Sequence, residues 1–199
     1  MASPLTLDRA HTALLIMDYQ NVAVTRFGGA HPGLLDRAAS VLAAARSAGV
    51  PIIYIVVRFR EGYPEISPRN RVFAQIGKIG SMQEGDPATE IHPQVAPRPG
   101  DVVVSKRRTG AFSTTDLETI LRAQERTTLI LLGIATSGVV LSTVRWAADM
   151  DYDLIVVEDC CADGDEEVHR VLTQKVFPRQ ALVVTSDALL EAFGPASSE

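Results

Sequence analysis

The chain is predicted to fold as an α/β three-layer sandwich: a six-stranded parallel sheet with helices on both faces, in the Rossmann-like manner. Three observations predict it. Six short apolar runs punctuate the sequence, stripes at helical spacing fall between them, and the runs are nearly continuous in Val, Ile and Leu rather than alternating with polar residues. A strand that is apolar on both faces is buried on both, as in a parallel sheet covered by helices. Strand–helix–strand units in series then require right-handed crossovers.

The runs lie at residues 13–17, 51–57, 102–104, 127–134, 154–157 and 181–185. Leu34, Leu35, Ala38, Val41, Leu42 and Ala45 form the first helical stripe, and Gly49 supplies its stop. Leu117, Ile120 and Leu121 form a second behind capping candidates at residues 113–115. Val140, Leu141, Val144, Ala147 and Ala148 give a third, and Val168, Val171 and Leu172 a fourth. Residues 59–100 break the rhythm. They are rich in Pro and Gly, carry no strong period, and are too long for an ordinary connection. An excursion over the carboxyl edge of the sheet is expected there, capping a site or meeting another subunit. Residues 194–199 are expected to fray. With no repeat, low-complexity tract or linker, residues 1–199 read as one domain.

Composition narrows the function classes. The 199 residues are 46 % apolar, enough for a sizeable core, and the net charge of −5 is not gathered into runs. Arg69 with Arg71, and residues 106–108, are short basic patches; the balance points away from nucleic acid or an anionic membrane as partner. No apolar run approaches the ~20 residues of a membrane-spanning helix, and the first ten residues lack a signal pattern. The two cysteines, Cys160 and Cys161, are adjacent and provide no disulfide framework, so a cytoplasmic location is expected. The glycine-rich stretch at residues 27–33 follows a polar segment and does not open a helix as G-x-G-x-x-G, and no P-loop is present, so no dinucleotide cofactor is expected. His11, His31, His92 and His169 are scattered without metal-ligand spacing, and no metal is expected.

Open parallel sheets bind ligands beyond the carboxyl ends of their strands. Asp18, Arg58, Lys106, Ala135 and Asp159 all fall at or just past such ends. Each has a plainer reading, as a turn cap for the aspartates or as a solvated surface charge for the lysine and arginine. Together at equivalent strand ends, Asp18 and Lys106 become the catalytic candidates. Arg58 is a candidate contact for an anionic substrate, and Gln20 either touches substrate or satisfies its own turn.

Over nearly its whole length the chain resembles the isochorismatase-like (cysteine hydrolase) superfamily. The resemblance rests on LLIMDYQN around Asp18, VVSKRRTGAFSTTDL around Lys106, and LLGIATSGVVLSTVRWAADMDY followed by LIVVEDCCAD. It implies a six-stranded parallel sheet, assembly into homodimers or higher oligomers, and an active site of aspartate, lysine and cysteine. The aspartate maps onto Asp18 and the lysine onto Lys106. The cysteine position is Val139, which has neither lone pair nor proton and cannot act as a nucleophile. The resemblance further implies a non-proline cis peptide between Ile134 and Ala135. Ala135, Gly138 and Val139 would then form a substrate-binding backbone cradle. Where metal-binding members carry Asp-x-His after the second strand, this chain reads Val57-Arg58-Phe59-Arg60.

Isochorismatases proper resemble members without the cysteine and need only a proton donor and water. Three readings follow. The first is a cysteine-less hydrolase acting on a small, carboxylated metabolite through Asp18 and Lys106. The second is a non-catalytic member that binds a small ligand or regulates a partner. The third is a C–N amidohydrolase using water or another nucleophile, with Cys160 and Cys161 as the remaining sulfurs.

Overall fold

A computed structural model describes residues 5–28 and 31–194. Its six strands are β1 (Thr12–Met17), β2 (Ile52–Val57), β3 (Val102–Lys106), β4 (Thr128–Ile134), β5 (Asp153–Ala162) and β6 (Leu182–Val184). All pair in parallel, in the order β3-β2-β1-β4-β5-β6. The chain runs outward from β1 to β3 on one side and then restarts beside β1 with β4. That reversal opens a crevice at the carboxyl ends of β1 and β4, where α/β sheets hold ligands.

Alternation along the strands builds the two cores. Ala13, Leu15 and Met17 face one layer, covered by helices α4 (Leu117–Ala123) and α5 (Leu141–Asp149). Leu14 and Ile16 face the other, covered by α2 (Leu34–Ser47) and α7 (Ser186–Phe193). Both faces of β1 and β2 are therefore dry, as their unbroken apolar runs predicted. Helix α2 ends where expected: Gly49 adopts φ 71°, a left-handed conformation that glycine takes without steric cost, and the Val50 amide donates back to Ala45. Helix α6 (Glu166–Val171) accounts for the fourth stripe and runs on into a wide π-helical turn. The expected fraying of residues 194–199 concerns a segment of which only Gly194 lies within the described residues, and the glycine-rich stretch at 27–33 is described except for residues 29 and 30.

Three elements depart from the sequence expectations. Strand β5 runs to Ala162, five residues beyond the apolar run, because an irregularity at Glu158 and Asp159 lets Cys161 and Ala162 pair again with Gly133 and Ile134. The excursion at residues 59–100 contains a helix, α3 (Arg71–Ile79). The Asn70 side chain accepts from the Phe73 amide to start it, and Gly80 at φ 74° ends it. Phe73 inserts between Val57 and Phe59, with Tyr63, Ile66, Ile76 and Met82 around them, as a small satellite core. The helix α1 (Asn21–Phe27), directly after β1, also carried no clear stripe.

Charge ties this excursion to the end of β3. Glu65 accepts from Arg60 and, at 3.3 Å, from Arg107 Nε, while Arg107 also pairs with Glu84. Burial alone would raise the Glu65 carboxyl. Its own backbone amide and the two guanidinium groups outweigh burial and hold it below the ordinary glutamate range. A depressed carboxylate contributes stability that is complete above the unfolded value, about 4.3, and lost as pH falls through the lower folded value. Glu65→Gln should therefore cost ~1 kcal/mol in urea unfolding at pH 7, with the difference from wild type closing toward pH 3; a difference constant with pH would contradict this.

Candidate active site

Asp18 is the first residue past β1 and stands at φ 58°, a region few non-glycine residues occupy but one that aspartate tolerates. Its amide is fixed by the Ile55 carbonyl of β2 at 2.8 Å. Lys106 closes β3, two strands away, and the strand spacing of about 4.8 Å means only a long side chain can cross β2 to meet Asp18. It does so: Lys106 Nζ lies 2.8 Å from Asp18 Oδ2, with the lysine 1 % exposed and the aspartate side chain 13 %. The ammonium also donates to the carbonyls of Arg108 at 3.2 Å and Thr109 at 3.1 Å. All three of its hydrogens are thus engaged. Asp18 Oδ1, by contrast, is buried without a hydrogen-bond partner. Burial raises the Asp18 carboxyl above the ordinary aspartate range, and the attraction of Lys106 opposes that rise without cancelling it.

A cavity of about 180 Å³ reaches this pair through Lys106, which lines it together with Thr109 and Ile134, while Asp18 stands behind the lysine and is not itself a lining residue. Helix α1 supplies Val22, Ala23, Arg26 and Phe27, and α3 supplies Val72, Phe73 and Ile76. The cavity is hydrocarbon over most of its wall.

The segment after β4 forms the neighbouring edge. The Ile134–Ala135 peptide is cis. Residues Thr136–Val140 then wind a wide π-helical turn into α5, a device frequent at functional sites. Gly138 packs toward Ala135 and Thr109: a Cβ placed on it would sit 3.8 Å from Ala135 Cβ and 3.9 Å from Thr109 Cγ2. Val139 is 2 % exposed and belongs to the core layer of Met17 and Ala111. A Cβ on Gly133 would meet Val140 Cγ2 at 2.7 Å, with Met17 Cε and Val139 Cγ1 each at 3.3 Å, so β4 needs glycine there chiefly to admit Val140. Asp163 accepts from the Ser137 amide at 2.7 Å, and His169 Nδ1 is 2.8 Å from Thr136 Oγ1. Sequence reasoning gives neither anchor this role: Asp163 only closes the LIVVEDCCAD stretch, and His169 stands among the scattered histidines.

None of the five proposed substrate contacts lines the cavity: Ala135 and Gly138 stay on the neighbouring edge, Val139 lies in the core, and Gln20 and Arg58 are held elsewhere. Gln20 is fully buried and bonds backbone: its Nε2 donates to the Val57 carbonyl at 2.9 Å and to Thr89, and its Oε1 accepts from the Val57 amide at 2.8 Å. It clamps the excursion to β2 rather than facing the cavity. Arg58 turns to Glu90 at 2.9 Å and is not among the residues lining the cavity. Asp159, also singled out at a strand end, caps α7 by accepting from the Ser186 amide and hydroxyl, both at 2.7 Å. Cys160 and Cys161 are buried free thiols. Burial pushes the Cys161 thiol up to about 12 and Cys160 higher still, so neither is poised as a thiolate. Among the described residues no three His, Cys, Asp or Glu side chains gather in a metal-binding group, and no helix is long and apolar enough to cross a membrane.

Residues 12–188, from the start of β1 to the first turn of α7, match the family described as Isochorismatase domain. The chain belongs to the isochorismatase family. It is 32 % identical over 195 residues to the uncharacterized isochorismatase family protein YwoC of Bacillus subtilis, an alignment covering 96 % of this chain and 98 % of that one. It is 30 % identical over 190 residues to the ureidoacrylate amidohydrolase RutB of Methylobacterium radiotolerans, covering 84 % and 73 % of the two chains. Its fold superposes on a cysteine hydrolase from Pseudomonas syringae with a TM-score of 0.86 at 24 % identity, over 97 % of this chain and 98 % of that one. The protein is thus a hydrolase of the isochorismatase family.

Two outcomes follow from the geometry. Gln20→Ala leaves three buried backbone groups around Val57 and Thr89 unpaired and should lower stability by about 3 kcal/mol, read as an equal fall at every pH in urea unfolding. Val139→Cys should create a thiol that iodoacetamide alkylates at least tenfold faster than an unperturbed cysteine, against a wild-type background of two inert thiols. An unreactive sulfur in that variant would show that position 139 does not face Asp18 and Lys106.

Proposed function

We propose that this hydrolase cleaves a small, carboxylated metabolite with Asp18 as proton donor and water as nucleophile, without a covalent protein intermediate. One observation carries the reading: the carboxyl group is split between an oxygen locked to Lys106 and an oxygen left buried and unpartnered. The first fixes orientation. The second is where a proton resides and leaves from, and burial favours keeping that proton. Asp18 gives it to the departing side of the substrate as the bond to carbon breaks. Water adds to that carbon, and its released proton restores the acid. Lys106 has no hydrogen left to offer and acts as the positioning residue. Ala135 and Gly138, beside Thr109, provide the backbone edge against which the reacting group would lie.

Val139 supports the absence of a covalent step, and the elevated thiols of Cys160 and Cys161 make neither a replacement nucleophile. The likeness to a ureidoacrylate amidohydrolase favours a C–N bond as the second target for the same water route. The proposal treats residues 1–199 as one cytoplasmic hydrolase domain that assembles with itself. Free buried thiols fit a reducing compartment, and the exposed apolar side chains of Trp146 and Leu182 fit a contact between copies.

Assays on carboxylated vinyl ethers, amides and esters test this directly. Asp18→Asn should lower kcat by about 10²- to 10⁴-fold with the fold intact, and iodoacetamide should leave the wild type active. Because the protonated acid is the working form, kcat should fall about tenfold per pH unit above the raised Asp18 value. A rate that climbs with pH through that range would assign Asp18 as a base, and ligand stabilisation without turnover of any of the three classes would favour a binding protein.

A further inference from the structure

The cavity that Lys106 lines in front of Asp18 is bordered by two cations of opposite character. Lys106 forms part of its inner surface, but Asp18 Oδ2 and the Arg108 and Thr109 carbonyls already take its three hydrogens. Arg26, in the last turn of α1, borders the same space and is exposed. Among the described residues it makes no ion pair and no side-chain hydrogen bond; its guanidinium carbon rests 5.1 Å from the centre of the Phe27 ring. All five of its N–H donors are available.

Around these cations the wall is hydrocarbon: Val22 and Phe27 on one side, Phe73, Ile76 and Met82 on the other. Such a wall excludes water and lowers the local dielectric, which strengthens the pull of a nearby guanidinium on an anion. At about 30 Å³ per water molecule, roughly six waters' worth of space is available. The ligand must therefore be small, with one end charged and the rest apolar.

We propose that Arg26 is the specificity-determining residue of this site, gripping the carboxylate of a small monocarboxylate whose apolar body lies between α1 and α3. The assignment rests on the reading of Asp18 as the reacting acid, and it moves anion recognition from Arg58 to α1. The planar guanidinium fork matches both carboxylate oxygens, and its stacking on Phe27 holds the fork near the rim. A neutral analogue loses the charge-assisted hydrogen bonds. The scissile group then lies inward, toward Asp18 and Thr109, because α1 rises away from Asp18 by about 1.5 Å per residue.

Calorimetric titration with hexanoate and its neutral counterpart hexanamide tests this without turnover. Wild-type protein should bind hexanoate about tenfold more tightly than hexanamide. Arg26→Gln should bring hexanoate to the hexanamide level and leave hexanamide unchanged, and Arg26→Lys should restore part of the preference. Equal affinities in the wild type, no binding of hexanoate at millimolar concentration, or a preference that survives Arg26→Gln would each overturn the proposal. Failure of the acid reading shows in the kinetics and pH profile of Asp18→Asn, and failure of the Arg26 reading shows in this titration of the wild type and the Arg26 variants.

Discussion

The buried Lys106 ammonium is the constraint around which the site is organised. Removing such a charge from water costs several kcal/mol unless its hydrogens find acceptors. Here they find three, one from the end of β1 and two from the chain that follows β3. The same contacts that satisfy the charge also fix the molecule. They bind the outer strand β3 to the inner strand β1 across β2, and they curl residues 106–109 so that Thr109 comes to face Gly138. Asp18 receives its orientation from the same bond. An ammonium with a spare hydrogen would have been free to bind substrate; this one is committed to structure.

Hydrocarbon at residue 139 extends the same logic. Val139 packs beside Met17 and over Gly133, so the β1–β4 crevice is sealed from below by core. Burial at the end of β1 drives the Asp18 carboxyl toward its neutral form. On the proposed mechanism, valine at 139 leaves no thiolate there, and the proton is the one held by the buried Asp18 carboxyl.

Much of this was legible in the sequence, and what was not has physical causes. The strands announced themselves because parallel strands are buried twice, and Asp18 and Lys106 because polar residues ending such strands are conspicuous. Gln20 and Arg58 were conspicuous for the same reason, yet a polar group past a strand serves a neighbouring backbone or counter-charge as readily as a ligand. The choice depends on the excursion that supplies Thr89 and Glu90. Strand β5 looked short because Glu158 and Asp159 interrupt its apolar run at an irregularity that pairing survives. Helices α1 and α3 showed no stripe: Val22, Ala23 and Val24 of α1 are adjacent rather than spaced by a turn, and α3 exposes Val72 and Ile79 while burying Phe73. Arg26 and Phe27 were lost with α1, and with them most of the cavity wall.

Helix α3 hangs from the excursion, clamped at its ends by Gln20 and the Glu65 cluster but contributing nothing to the hydrogen-bonded ladder of the sheet. One wall of the cavity is therefore encoded in a segment that can be rewritten while the acid and its ammonium stay where the strands put them. Residues 72, 73 and 76 are the places where a lineage, or an engineer, would graft a new appetite onto an unchanged reaction centre.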